Sequence, residues 1–159
     1  MLLSLHRLDI ERSMDYLTES ELSDLKSAIK DSEGLSLTLY TCKSNKISIA
    51  YGRNLSDNGI SIDEAEYLLE NDIKIAIEEC AELYKDFWDL PYQVKHVLID
   101  MMFNGGRKMM LSFKRFNACL EDDDFEGMAR ELKDSRYYNQ VGRRAKKNYD
   151  LLIQASNLG

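Results

Sequence analysis

The 159-residue chain has a single proline and only eight glycines. So few backbone breakers exclude a collagen-like or low-complexity chain, and with 31% charged residues of mixed sign the composition favours helix. His6 and His96 are the only histidines, which leaves little material for histidine-based metal or triad chemistry. Cys42, Cys80 and Cys119 are odd in number, widely spaced and without a C-x-x-C pair. They imply neither a disulfide framework nor a zinc site, and they suit a reducing compartment. No apolar run approaches the ~18 to 20 residues of a membrane span. The opening MLLSLHRLDI is broken by His6, Arg7 and Asp9 before the apolar core of a signal peptide can form. The expectation is no export signal, no stable membrane insertion and no metal.

Positive charge is also in deficit. Lys plus Arg is 21 against 28 Asp plus Glu, a net charge of −7 with a pI near 4.9, which disfavours nucleic acid or another polyanion as a partner of the whole molecule. The deficit is uneven: residues 133–147 hold Lys133, Arg136, Arg143, Arg144, Lys146 and Lys147 against Asp134 alone. That face can meet an anionic ligand, or it can be a solvated helix with snorkelling side chains. Apolar residues are plentiful at 44%, enough for one core, and at roughly 150 residues per domain the length allows one domain with a short appendage. Residues 18–159 are read as a single domain and residues 1–17 as an extension. The extension's Leu2, Leu3, Leu5, Leu8 and Ile10 could pack back on the domain, dock a partner or touch lipid.

Thr18-Glu19-Ser20-Glu21 has the form of a capping box ahead of Leu22, Leu25 and Ile29, with Gly34 as the stop, which predicts a helix over about 19 to 31. LSLTLY and KISIAY, separated by the polar TCKSN, alternate with period two and predict a β-hairpin. Asp57-Asn58-Gly59 marks a turn, and Ser61-Ile62-Asp63-Glu64 has the form of a second capping box, opening a helix to about Tyr84. Val94, Val97, Leu98, Met101 and Met102 begin just after Pro91 and stop at Gly105-Gly106, the pattern of a central buried helix. The Met101, Met102 and Phe103 stripe is read as core. Shorter helices are expected at residues 107–111, 113–120, 124–132 and 143–153, and the acidic run at 121–124 as a solvated turn and N-cap.

Glu33 ends the first capped helix and leads into the hairpin. The negative end of the helix dipole and an apolar strand both favour its protonated form. A carboxylic acid kept neutral near about pH 6 suits general-acid attack on a glycosidic oxygen, although an acidic residue before Gly is also a common helix ending.

The order helix, Glu33-Gly34, strand, Cys42, strand, Ser48 resembles the active-site hairpin of the phage-type lysozymes, the T-even bacteriophage lysozyme family of glycoside hydrolases. That family's motif is Glu, eight residues, Asp or Cys, five residues, Thr, and both intervals recur here. The likeness continues through the segment from Ile60 to Glu66 and on to Asp72, through Met102-Phe103-Asn104-Gly105-Gly106, and through Lys133-Asp134-Ser135-Arg136-Tyr137-Tyr138-Asn139-Gln140 with Arg144-Ala145-Lys146. It covers about residues 26–153 in order.

The resemblance implies an α+β, mainly α fold, with a small N-terminal hairpin lobe, a long connecting helix, a helical C-terminal lobe and a cleft between the lobes. It implies hydrolysis of the β-1,4 link between N-acetylmuramic acid and N-acetylglucosamine in peptidoglycan, with inversion, no cofactor and a monomeric enzyme. By position Glu33 would be the general acid, Cys42 and Ser48 would handle the attacking water, and Arg144 would pair with Glu33. Asp100, Asn104 and Arg136 fall where the family lines its sugar cleft. The biological role it implies is a phage or prophage endolysin that accumulates in the host cytoplasm and reaches the wall after holin-mediated release. A virion-borne lysozyme is the same chemistry in another place.

Three departures stand out. Cys42 takes a place most often given to Asp, and a thiol with a pKa near about 8.5 is a poor base at neutral pH. Its role is open between steric, polar and thiolate-dependent. Ser48 keeps the hydroxyl of Thr without the methyl. The family's Gly-x-Gly-His reads Ala50-Tyr51-Gly52-Arg53, so the family's ion pair is expected as Arg53 with Asp72, no longer titrating near neutrality. These changes and the −7 charge also keep open a lysozyme-fold protein that has lost turnover and binds glycan or a protein partner.

Overall fold

A computed structural model of the chain describes residues 17–158; the leucines and isoleucine noted between Leu2 and Ile10 lie outside the described residues. The fold is α+β and mainly α, with eight helices and one three-stranded antiparallel sheet among the described residues. The described residues form two compact units, which divide after Ile62.

The first unit begins with α1 (Glu19–Glu33). Its start is the capping box read from the sequence: the Glu21 amide donates to Thr18 Oγ1 at 3.2 Å, and Glu21 Oε2 accepts from the Thr18 amide at 2.8 Å. Gly34 ends the helix at φ 70°, its amide donating to the Lys30 carbonyl at 3.0 Å. Strands β1 (Ser36–Thr41) and β2 (Ile47–Ala50) form the expected hairpin, with Tyr40 opposite Ser48 and Thr41 opposite Ile47. A short β3 (Arg53–Asn54) joins β2, and α2 (Leu55–Asn58) occupies the place read as a turn. The alternation in β1 predicts an apolar inner face, yet Leu37 is 81% exposed while Ser48 on β2 is only 3% exposed. A register irregularity between Ser36 and Tyr40 changes which side chains share a face.

The second unit carries the hydrophobic core. It contains α3 (Ile62–Leu83), whose first residue closes the first unit, then α4 (Tyr92–Ser112), α5 (Lys114–Glu121), α6 (Phe125–Lys133), α7 (Arg136–Val141) and α8 (Arg143–Ser156). Pro91 precedes α4, where its missing N–H costs nothing. Val94, Val97, Leu98, Met101 and Met102 form the buried stripe expected of a central helix. Gly106, at φ 70° and ψ 176°, breaks α4 where the sequence placed a stop, and a second helical stretch follows within the same element. α6 and α8 pack on one another through a core that includes Met128, Ala129, Leu132, Ala145 and Leu152. The acidic run ends in a cap: Asp124 Oδ1 accepts from the Gly127 amide at 2.7 Å. Phe103 departs from the expectation that it belongs to the core, being 39% exposed beside fully buried Met101. Consecutive helical residues point about 100° apart, so three in a row cannot share one face.

Candidate active site

In the first unit, α1 delivers Glu33 to the mouth of the hairpin, where the exposed carboxyl borders a recess of about 220 Å³ with Ser36, Tyr40 and Ala50. The carboxyl lies against Gly52: a Cβ there would stand 2.9 Å from Glu33 Oε2. Gly52 also has φ 81°, a backbone state that L side chains rarely adopt. The chain path thus favours glycine here, and a side chain in its place would push the Glu33 carboxyl aside. Two residues earlier, Ala50 sits at φ 58°, where the resembled hairpin carries glycine. A Cβ in that conformation is strained.

Cys42 follows directly on β1, and its Sγ is 3.0 Å from Ser44 Oγ. Its amide donates to the Lys46 carbonyl at 2.9 Å, and its carbonyl accepts from Asn45 at 2.9 Å, so the turn holds the residue by its backbone. The thiol is not the weakly acidic group expected from its residue type. The Ser44 hydroxyl, then the Lys46 and Ser44 backbones and lastly the Ser48 hydroxyl favour the thiolate, and the pKa falls from 9.0 to about 7. Ser48 is buried at 3% exposure on the neighbouring strand, opposite Tyr40.

In the second unit, Arg144 at the start of α8 grips Asp100 on α4. Its Nε donates to Asp100 Oδ1 at 3.0 Å and Oδ2 at 2.9 Å, its Nη2 lies 2.8 Å from Oδ1, and Nη2 also donates to the Asp100 carbonyl at 3.1 Å. These hydrogen bonds raise the guanidinium pKa further and keep it charged. Asn148, one turn along α8 and 1% exposed, donates Nδ2 to Asp100 Oδ2 at 2.8 Å. Both carboxylate oxygens of Asp100, read from the sequence as a sugar contact, are thus engaged within the protein. The guanidinium also lies 5.7 Å from the Phe103 ring centroid. Its Nη1 makes no hydrogen bond among the described residues.

Asn104 is exposed on α4, and Arg136 is exposed as the first residue of α7, after the Ser135 cap. Arg53 donates Nη1 to the Gly59 carbonyl at 3.2 Å within the first unit, and Asp72 is exposed on α3 in the second. The expected pairs Glu33 with Arg144 and Arg53 with Asp72 each join residues of different units. Sequence reasoning missed Asn148 and Phe103. The first had a readable signal, its four-residue spacing from Arg144 along one helix face. Among the described residues no cluster of His, Cys, Asp or Glu could hold a metal ion, and no helix is long and apolar enough to cross a membrane.

No curated protein matches the chain by sequence comparison. The sequence model of the family described as phage lysozyme matches residues 30–150, a span that contains Glu33, Cys42 and Ser48 of the hairpin unit and Asp100, Arg136 and Arg144 of the helical unit. Covering most of the chain, that match shows that the protein belongs to the phage lysozyme family, whose members are lysozyme-type peptidoglycan hydrolases.

Proposed function

We propose that the protein is an N-acetylmuramidase that cleaves the β-1,4 bond between N-acetylmuramic acid and N-acetylglucosamine with inversion, and that the two units work as one catalytic domain. The observation that carries this reading is the hairpin: an exposed carboxyl at the end of α1, packed on a side-chain-free Gly52, and a thiol in the turn after β1 whose pKa its neighbours lower, with a buried serine on β2. Glu33 donates its proton to the glycosidic oxygen as the bond to the anomeric carbon breaks. Water enters on the opposite face, as inversion requires, from a space of about 6.5 to 9.5 Å between acid and base. The Cys42 thiolate accepts the water's proton, and Ser48 Oγ orients it. Arg144, its Nε and Nη2 held by Asp100, is the cation that would steady the negative charge left on Glu33. Asn104 and Arg136 contact the glycan, and Arg53 pairs with Asp72.

The intact protein acts as a monomeric endolysin. It is stored in the host cytoplasm until a holin releases it, and it needs no cofactor. The test is release of reducing ends from purified, chloroform-permeabilised Gram-negative sacculi, comparing parent with Glu33→Gln. Release by the parent and its loss in the variant support hydrolysis. Equal inertness of the two, with both still pelleting with sacculi, replaces it with a glycan-binding module that has lost turnover.

A further inference from the structure

Helix α8 turns one face to the core, and its buried residues are Ala145, Asn148, Leu152 and Ala155. Asn148 is the polar member of that stripe and is 1% exposed. An amide withdrawn from water costs free energy unless its hydrogen bonds are replaced, so an apolar side chain of similar size would serve packing better. The Asn148 Nδ2 donates to Asp100 Oδ2 at 2.8 Å. The carboxylate that this asparagine holds, rather than the core around it, explains its place.

The same carboxylate receives Arg144, one turn earlier on the helix. The guanidinium approaches side-on: Nε donates to both Asp100 oxygens, at 3.0 and 2.9 Å, and Nη2 lies 2.8 Å from Oδ1. A guanidinium has a second way to grip a carboxylate, end-on through its two terminal nitrogens, and that arrangement would use Nη1. The terminal torsion of an aspartate is broad, so the carboxylate alone does not choose between the two. The Asn148 amide does, because it pins Oδ2 in the orientation that meets Nε. We propose that Asn148 is a positioning residue: by fixing the Asp100 carboxylate it selects the side-on grip of Arg144 and leaves Nη1 open to an anion. Buried as it is, Asn148 acts only through Asp100 and Arg144. The assignment rests on Arg144 serving the reaction as proposed above.

Asn148→Leu in the full-length protein removes the donor and keeps an apolar side chain on the core face. With soluble peptidoglycan fragments, kcat should fall about tenfold with KM unchanged. Arg144→Lys should be equally slow with and without Asn148→Leu, since the fork that Asn148 orients is already gone. Nitrogen-15 NMR reads the grip without turnover. The parent should give separate Nη1 and Nη2 signals for Arg144, identified by their loss in Arg144→Lys, and Asn148→Leu should merge them. Parent-like kcat in Asn148→Leu, a further fall on adding it to Arg144→Lys, or Arg144 signals that are merged in the parent or unchanged in the variant overturns the positioning role. Signals that merge in the variant of a protein whose parent cuts no glycan uphold that role and overturn the hydrolase reading instead. If Asn148→Leu does not fold, Asn148→Val removes the same donor with a smaller side chain and is read in the same way.

Discussion

Arg144 and Asp100, 44 residues apart in the chain, meet through a guanidinium whose Nε lies 3.0 and 2.9 Å from the two carboxylate oxygens. Asp100 is thereby the anchor that sets the direction of Arg144. Asp100→Ala leaves Arg144 and the buried Asn148 amide without their acceptor, and loss of a charge-assisted hydrogen bond in such a setting costs about 1–3 kcal/mol. Urea unfolding should show that loss. Arg144→Lys should lower turnover of sacculi, because an ammonium cannot reproduce the planar fork.

Glu33→Gln should lower turnover of sacculi by at least about 10²-fold. The side chain is exposed, so its unfolding midpoint should stay close to that of the parent. A drop in turnover that tracked a drop in stability would assign Glu33 to the fold rather than to the reaction.

Cys42, with its pKa lowered to about 7 by the Ser44 hydroxyl and neighbouring backbone, should be alkylated by iodoacetamide at a rate that rises with pH to a midpoint near about 7. Buried Cys80, its thiol pushed up to about 12 by desolvation, should resist until the protein unfolds. If the Cys42 thiolate serves the water, activity rises through the same pH range, and Cys42→Ser loses that limb. A limb unchanged in Cys42→Ser would remove the thiolate from the mechanism.

Two hairpin substitutions should act in opposite directions. Ala50→Gly relieves a Cβ at φ 58° and should stabilise the protein by about 1 kcal/mol, since the left-handed conformation costs an L-residue about 1–2 kcal/mol. Gly52→Ala adds a Cβ at φ 81° and within 2.9 Å of Glu33 Oε2. It should destabilise by about 1 kcal/mol or more and depress activity beyond that, by displacing the acid. Thermal melts and reducing-end assays on the pair separate the two effects.

Where the fold was legible, the signal was local. Thr18 with Glu21, Pro91 before α4, Gly106 inside it and Asp124 at the N-cap of α6 are each read within a turn or two of chain, and the structure carries all four. What escaped was short or long-range. β3 has two residues and α2 four, too few to show a period. α7 has six residues, but its Ser135 cap on the Tyr138 amide at 3.1 Å was readable and went unread. The Arg144 grip on Asp100 depends on how α8 lies against α4, which no spacing encodes. The lowered Cys42 pKa depends on a turn that brings the Ser44 hydroxyl to sulfur, and residue type alone pointed the other way.

Apart from Ser48, every residue described as buried lies between Ala76 and Ala155. Local opening is least costly where few apolar groups are withdrawn from water. On warming, the neighbourhood of the proposed proton donor should therefore soften first, and hydrolysis should fade at temperatures where the helical ellipticity is still whole.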